Sequence, residues 1–147
     1  MTVALAGKEV GTRLTQQFPN SIIESDRDYV VVRTDALPKV IAFLKTSPQL
    51  AFDFLNSITA ADYFDYFEVV YHLTSMQHNH SIVIKTRVQG RENLSVPSII
   101  GQYQGADFQE REVYDLLGIK FEGHPNMRRI FLYEGFQGHP LRKDFVQ

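Results

Sequence analysis

Four acidic side chains lie within one short segment and form the densest group of candidate acid–base residues in the chain: Asp107, Glu110, Glu112 and Asp115. Two carboxyl groups that flank a substrate bond can serve as the acid and the base of hydrolysis, as in glycoside hydrolases. On a helix, however, residues two positions apart point about 160° away from each other. Joint acid–base catalysis by Glu110 and Glu112 is therefore not expected.

The histidines are the second group that could do chemistry. His78 and His80 are two residues apart, which places them on one face of an extended segment, and His72, His124 and His139 could supply further ligands. The sequence contains no His-Glu-x-x-His motif, no Gly-x-Ser-x-Gly elbow and no phosphate-binding glycine motif. Because there is no cysteine, thiolate nucleophiles, disulfides and cysteine-bound clusters are excluded. A histidine-dependent metalloenzyme remains one alternative.

The charges change sign near the C-terminus. Residues 106–118 carry one basic and four acidic residues, whereas residues 119–147 carry five basic and three acidic ones. The net charge of -2 gives no reason to expect nucleic acid or an anionic membrane as a partner. No apolar run approaches the roughly 20 residues of a transmembrane helix, and the first residues lack the features of a secretory signal. We therefore expect a soluble, intracellular protein.

The acidic segment is predicted to be an amphipathic helix that ends at Gly118 in a left-handed cap. Its apolar arc comprises Phe108, Val113, Leu116 and Leu117, and the opposite arc comprises Asp107, Arg111 and Asp115. Glu112 falls inside the apolar arc, while Glu110 lies at its edge. Because an unpaired buried carboxylate is costly, Glu112 is expected to pair with Arg128 or Arg129, or to lie at a contact between subunits. One interpretation of the remaining charges is that Glu110, Arg111 and Asp115 form a solvated face, but the position of Glu112 makes it less favoured.

Two Gly-His-Pro turns follow, at residues 123–125 and 138–140. Each proline favours an extended backbone at the histidine before it and fixes a turn. A basic pair comes shortly after each turn, at 128–129 and 142–143, and arginines there can form bidentate pairs with carboxylates. The run 130–133 between the turns has the composition of a short strand. We interpret this region as an extended tail that is pinned at two points.

The rest of the chain predicts the elements that position these residues. Helices are predicted at 4–18 and from residue 34 or 35 to just before Pro48, and hairpins at 22–32 and 67–88. Residues 52–62 indicate a helical turn that leads into a strand at 58–61. After the hairpin at 67–88, residues 96–98 begin a connector in which Ser98 is a candidate helix cap. Hairpins predict an α+β fold with a mostly antiparallel mixed sheet, helices on one side, and an irregular, extended C-terminal tail. We expect one domain overall, with an α+β part at 1–118 and a basic docking tail at 119–147.

Residues 110–130 and 138–145 closely resemble the signature of one family. It is the thirty-kilodalton subunit of proton-pumping NADH:quinone oxidoreductase, or respiratory complex I. Residues 55–63 and 67–75 are similar to a weaker part of the family pattern, so the resemblance covers most of the chain. Phe108 departs from it, because the family usually has tryptophan there. Related subunits occur in the photosynthetic NADH-dehydrogenase-like complex and in energy-converting membrane-bound hydrogenases, and the latter is an alternative assignment.

The resemblance implies a non-catalytic peripheral-arm subunit that docks against the hydrogenase-related large subunit near the quinone site. It implies no metal or cofactor in this chain, with FMN, iron–sulfur clusters and quinone in partner subunits. The protein would be cytoplasmic and would meet the cytoplasmic face of the inner membrane only through the complex, without nucleic acid. The residues expected at the interface or in its support are Glu110, Arg111, Glu112, Asp115, His124, Pro125, Arg128, Arg129, His139, Pro140, Arg142, Lys143 and Asp144.

Overall fold

A computed structural model of the chain describes residues 2–145. Its helices are α1 (Gly7–Gln17), α2 (Leu37–Thr46) and α3 (Ala106–Leu117). Its strands are β1 (Val3–Ala4), β2 (Ile22–Ser25), β3 (Val30–Val32), β4 (Phe54–Asp62), β5 (Tyr66–Ser75), β6 (His80–Gln89), β7 (Ser95–Pro97) and β8 (Lys120–Glu122). A 3-10 turn at Thr34–Ala36 leads into α2, whose second residue is Pro38. Proline is tolerated there because the first amides of a helix have no intrahelical acceptor.

The main sheet has the strand order β2-β3-β6-β5-β4, and β1 pairs with one end of β6. The pairs β2–β3, β4–β5 and β5–β6 are antiparallel, whereas β1 and β3 each run parallel to β6. The β5–β6 hairpin is the longest uninterrupted ladder and runs from Tyr66 opposite Gln89 to Ser75 opposite His80. A second sheet pairs β7 with β8 in parallel. The prediction of an α+β fold with a mostly antiparallel mixed sheet is confirmed.

One hydrophobic core lies against one face of the main sheet. Alternation along β5 and β6 directs Phe67, Tyr71 and Ile84 into it, and each is fully buried. All three helices contribute to the same cluster, for example through Leu14 of α1 and Ile41 of α2. Burying a side chain of this size contributes about 1.5–3 kcal/mol. The helices are therefore held on one side of the sheet by a shared core.

Two elements differ from the prediction for identifiable reasons. Helix α1 begins at Gly7 rather than residue 4, because residues 3 and 4 extend along β6. Residue 7 also lies against β-hairpin backbone, and a Cβ there would clash with the carbonyl group of Tyr29. The predicted helical turn before residue 58 is wrong, since β4 already begins at Phe54. A register shift between Leu55 and Ser57 interrupts the strand period and explains the misleading pattern.

The folded body extends past the predicted boundary at Gly118. Ile119 and Phe121 are both buried in the core, and β8 continues the body to Glu122. Residues 123–145 then form turns and bends, and the strand expected at 130–133 does not form. Within residues 2–145, none of the helices has the length and apolar composition needed to cross a lipid bilayer.

Candidate functional site

Residues 123–145, hereafter the C-terminal segment, fold back over the end of helix α3. The helix stops at Gly118, whose φ of 80° is left-handed, as the sequence predicted. The last four carbonyl oxygens of the helix all accept hydrogen bonds: Tyr114 from the Gly118 amide (2.8 Å), Asp115 from His139 Nδ1 (3.0 Å), Leu116 from the Leu141 amide (2.9 Å) and Leu117 from Arg142 Nε (2.6 Å). Such carbonyls have no partner inside a helix. The C-terminal segment satisfies the last three of these carbonyls and therefore caps the end of α3.

The second Gly-His-Pro turn and the two residues after it supply this cap. Because a carbonyl oxygen can only accept, Nδ1 of His139 must carry the proton that it shares with Asp115. Burial lowers the pKa of His139, which favours this neutral form. The ring sits so close to the helix end that a Cβ at Gly118 would lie 2.6 Å from Cδ2 of His139 and 2.7 Å from Nη2 of Arg142. Position 118 is thus restricted to glycine by both φ and space.

Asp115 is the central polar residue of the C-terminal segment's contact with α3. Its carboxyl group is fully buried, and one oxygen accepts the amides of Ile130 (3.2 Å), Phe131 (2.7 Å) and Leu132 (3.0 Å). The other oxygen accepts Nη1 of Arg129 at 3.0 Å. Burial alone would raise the pKa of Asp115, but the three amides and the guanidinium hold that pKa below its usual value. We call Asp115, Arg129 and the amides of residues 130–132 the Asp115 clamp.

Two arginines extend the clamp through backbone carbonyls. Arg129 Nη2 donates to the carbonyl of Gly138 at 2.8 Å, which ties the first basic pair to the second Gly-His-Pro turn. From α3, Arg111 donates through Nε and Nη2 to the carbonyls of Arg128 and Arg129, each at 3.0 Å. The expectation that Arg111 and Asp115 form a solvated face is therefore wrong. Their face of the helix is covered by the C-terminal segment.

The two glutamates of α3 exchange the roles that the helical wheel predicted. Glu110 is fully buried, and its carboxylate accepts Ser98 Oγ at 2.5 Å and the Ile99 amide at 2.9 Å. Burial raises the pKa of Glu110 above its usual value, although these two hydrogen bonds oppose the shift. Glu112, expected to be buried beside Arg128 or Arg129, is exposed and has no hydrogen bond or ion pair to any residue in 2–145. The expected ion pair is wrong, because the connector at residues 98–99 covers the Glu110 side of the helix instead.

Phe108 is a further departure from the wheel, since it is 60% exposed rather than part of the core. Its ring lies 5.7 Å from the guanidinium of Arg111. The first Gly-His-Pro turn contacts the same end of α3. The His124 side chain is completely buried, and its Nδ1 accepts the Asn126 amide at 2.9 Å. Nε2 therefore carries the proton and faces the carbonyl and the carboxylate of Asp107, each at 3.1 Å.

Asp62 and Arg91 form a second anchor that the sequence did not predict. Asp62 is 6% exposed, and its two oxygens accept Nη1 and Nη2 of Arg91 at 2.6 and 2.8 Å. It also accepts the amides of Phe64 (2.8 Å) and Lys143 (2.9 Å), while Arg91 reaches Asp144 at 2.9 Å. The Arg91 guanidinium holds the pKa of Asp62 well below its usual range despite burial. Asp62 lies in the weaker resemblance at 55–63, but nothing in the sequence indicates that Arg91 is its partner.

Two of the histidines lie close together, since the rings of His78 and His80 are 5.5 Å apart, but each ring is hydrogen-bonded to backbone. His78 Nε2 donates to the carbonyl of Pro48 at 2.7 Å, and His80 Nε2 donates to the carbonyl of Leu50 at 2.9 Å. Those two nitrogens are therefore protonated and are not free to bind metal. Across the part of the chain that the structure describes, no three His, Asp or Glu side chains are grouped to hold a metal ion.

The remaining predicted residues lie at the surface of the C-terminal segment. Pro125, Arg128, Lys143 and Asp144 are exposed, and Pro140 is half-buried. The Arg128 side chain has no hydrogen bond or ion pair to residues 2–145. The structure thus separates the predicted residues into a buried set that shapes the C-terminal segment and an exposed set. Within the exposed set Asp144 pairs with Arg91, whereas the Arg128 side chain has no partner in residues 2–145.

The geometry defines an α+β domain whose last helix is capped and covered by its own C-terminal segment. Residues 30–147 match the family model described as "Respiratory-chain NADH dehydrogenase, 30 Kd subunit". The chain therefore belongs to this family, and the resemblance noted in the sequence is confirmed.

Individual relatives agree with the family. The chain is 43% identical over 152 residues to an NADH-quinone oxidoreductase subunit of Dinoroseobacter shibae, covering 99% of this chain and 69% of that protein. It is 40% identical over 149 residues to the equivalent protein of a Roseiflexus species, with 97% and 85% covered. It is 43% identical over 136 residues to the mitochondrial NADH dehydrogenase (ubiquinone) iron-sulfur protein 3 of Candida albicans, with 90% and 47% covered. The chain thus spans about half of this last relative.

A solved structure shares the fold. A chain from the membrane-bound sulfane sulfur reductase, an archaeal respiratory membrane complex, superposes with a TM-score of 0.75 at 25% identity. The match covers 95% of this chain and 85% of that one. These relatives are subunits of multi-subunit respiratory complexes.

Proposed function

We propose that this chain is a non-catalytic peripheral-arm subunit of a proton-translocating NADH:quinone oxidoreductase. In this proposal it docks against the hydrogenase-related large subunit near the quinone site and supports electron transfer from NADH to quinone. The observation that carries the proposal is the match to NADH-quinone oxidoreductase subunits at 40–43% identity over nearly the whole chain. FMN, iron–sulfur clusters and quinone belong to partner subunits, and the chain meets the cytoplasmic face of the membrane through the complex.

The geometry supports a structural role for the charged residues of α3. Asp115 pairs with Arg129 and accepts backbone amides, and Glu110 accepts the Ser98 hydroxyl and the Ile99 amide, so these side chains are engaged in holding the fold. These three residues position the exposed surface of α3 and of the C-terminal segment without contacting a partner themselves. Glu112 and Arg128 are different, since both are exposed and neither has a partner within residues 2–145. We assign direct contact with the large subunit to these two, because rim charges fix the register of an interface.

The test is assembly of the complex in its native membrane. Glu112→Ala and Arg128→Ala should lower the amount of assembled complex on blue-native gels, while the NADH:quinone activity per assembled complex stays unchanged. Since neither side chain has a partner in the described chain, the unfolding midpoint of the purified protein should not move. Matched controls are Glu9→Ala and Arg27→Ala, which remove exposed charges from α1 and from the β2–β3 turn. Normal assembly of both interface variants would contradict the proposal.

A second candidate is the corresponding subunit of a related membrane-bound complex, such as an energy-converting hydrogenase. The structural match to a chain of an archaeal respiratory membrane complex supports this second candidate. Purification of the complex through a tag on this chain separates the two. NADH oxidation by the purified complex with quinone as acceptor is expected under the main proposal, and its absence together with hydrogenase activity would favour the alternative.

A further inference from the structure

Two aromatic side chains project from the part of the C-terminal segment that the Asp115 clamp holds. Phe131 is 64% exposed and Tyr133 is 72% exposed, while Ile130 and Leu132 are half-buried. A single exposed aromatic side chain is common on protein surfaces. What distinguishes this pair is how firmly the backbone beneath it is fixed.

The backbone at 130–132 is tied to a fully buried carboxylate through three consecutive amides. Next along the chain, the Tyr133 carbonyl accepts the Phe136 amide at 3.1 Å, and the two rings pack edge to face at 5.5 Å. The Phe136 ring in turn stacks on Phe145 and lies under the guanidinium of Arg129. Both exposed rings therefore start from backbone that is already ordered in the isolated chain.

Capping of α3 does not account for this arrangement. The cap is made by Gly118, His139, Leu141 and Arg142, which lie outside residues 130–132. Burying a carboxylate is costly unless it is fully hydrogen-bonded. The bonds to Asp115 fix the loop at residues 130–132, and the largest side chain of that loop, Phe131, lies in solvent. The result of the clamp is the fixed direction of Phe131, while the contact with Phe136 holds Tyr133 beside it.

We propose that Phe131 and Tyr133 are preformed anchors that insert into an apolar pocket on a partner protein of the complex. This inference rests on the proposed function, because it names the contact through which the chain docks. Binding energy at protein interfaces is concentrated in a few aromatic side chains, and rigid anchors lose little entropy on binding. The clamp residues Asp115 and Arg129 act as positioning residues for the pair.

Charge next to the anchors defines the rim of the partner pocket. Arg128 precedes the pair and Glu134 follows it, and both are exposed without a hydrogen bond or ion pair to residues 2–145. A complementary pocket therefore has an acid opposite Arg128 and a base opposite Glu134. The balance of one positive and one negative charge favours a protein over an anionic lipid surface, which attracts clusters of basic residues.

The test uses the absence of cysteine from this chain. A Tyr133→Cys variant is labelled with a maleimide, once as the isolated protein and once in the complete complex purified from membranes. The proposal expects rapid labelling of the isolated protein and at least about ten-fold slower labelling in the complex, as for a fully covered anchor. Equal rates in both states would overturn the proposal, while the recovery of complex shows that docking itself occurs.

Assembly provides the second measurement. The double variant Phe131→Ala with Tyr133→Ala should reduce assembled complex about ten-fold or more. The unfolding midpoint of the isolated protein should fall only slightly, because within residues 2–145 the variant removes a single ring contact, that of Tyr133 with Phe136. The matched control Met76→Ala truncates a side chain that is 69% exposed at the β5–β6 turn and should assemble normally. Normal assembly of the double variant would overturn the anchor assignment, even where Glu112→Ala and Arg128→Ala still impair assembly.

A lipid arm completes the test. Vesicles containing anionic phospholipid should not retain the isolated protein in a flotation assay. Retention that depends on Phe131 and Tyr133 would show that the two rings bind a membrane surface instead of a protein pocket, and it would overturn the proposal. Failure of the wild-type chain to join any NADH:quinone oxidoreductase would instead count against the proposed function.

Discussion

Removal of the Asp115 carboxyl group is the most direct way to test how the C-terminal segment is held. Asp115→Ala leaves the amides of residues 130–132 and the guanidinium of Arg129 without their shared acceptor. Asp115→Asn keeps the shape and one acceptor oxygen but removes the negative charge that Arg129 contacts. We expect both variants to be destabilised, with alanine the more severe.

The magnitude follows from the number and kind of bonds lost. Hydrogen bonds to a charged group contribute about 1.5–3 kcal/mol each, but their effects on one carboxylate are not additive. Loss of one partner from a buried ion pair costs about 3–5 kcal/mol. Arg129 retains 13% exposure and its bond to Gly138, so part of its charge stays solvated or paired. We therefore expect Asp115→Ala to cost about 3–4 kcal/mol, within the range for a buried pair.

Urea unfolding of the purified protein measures the global cost, provided that the slope of free energy against urea is unchanged. Hydrogen exchange at the amides of residues 130–132 measures the local effect, and these amides should lose protection in Asp115→Ala. A double-mutant cycle with Arg129→Ala should give a coupling of about 1–3 kcal/mol. The matched control Glu112→Ala removes an exposed acid from the same helix and should be neutral. A cost below about 1 kcal/mol with protected amides would refute the described role of the clamp.

Three further results are expected. Folding lowers the pKa values of Asp62 and Asp115 from 3.8, so these two carboxylates stabilise the folded chain above pH 3.8. Their contribution is lost as the pH falls below that value, and an acid titration of the unfolding free energy will show the loss. The pKa of Glu110 is raised from 4.5, so its contribution is present below that pH and is lost as the pH rises; Glu110→Gln should remove this dependence in the same titration. Gly118→Ala should destabilise the chain in urea by at least about 1–2 kcal/mol, since alanine disfavours a φ of 80° and its Cβ would meet His139.

Much of the fold follows from local sequence. The alternation along β5 and β6 predicts a hairpin because successive strand residues point to opposite faces, and this hairpin forms the centre of the sheet. Gly118 predicts the end of α3 because glycine adopts left-handed φ without a Cβ clash. Where the local pattern was interrupted, as at the register shift between Leu55 and Ser57, the prediction failed.

The site was predicted less well than the fold. The sequence singled out the charged helix and both Gly-His-Pro turns, and the structure brings these together at the two ends of α3. The sequence did not reveal the ion pair between Asp62 and Arg91. The two residues lie 29 positions apart and pair only after β4, β5 and β6 have formed the sheet. Long-range ion pairs of this kind carry no local periodicity.

The amino-acid sequence by itself determined that α3 is amphipathic, that it ends at Gly118, and that the chain belongs to the thirty-kilodalton subunit family. Only the tertiary structure decided which acid of that helix is buried. A helical wheel treats the side of a helix as core or solvent, but the connector at residues 98–99 covers Glu110, and the C-terminal segment covers Asp115. Glu112 is left in solvent because neither segment passes over it. The burial of a charged side chain thus depends on distant backbone that supplies its hydrogen bonds, and helix periodicity contains no information about that backbone.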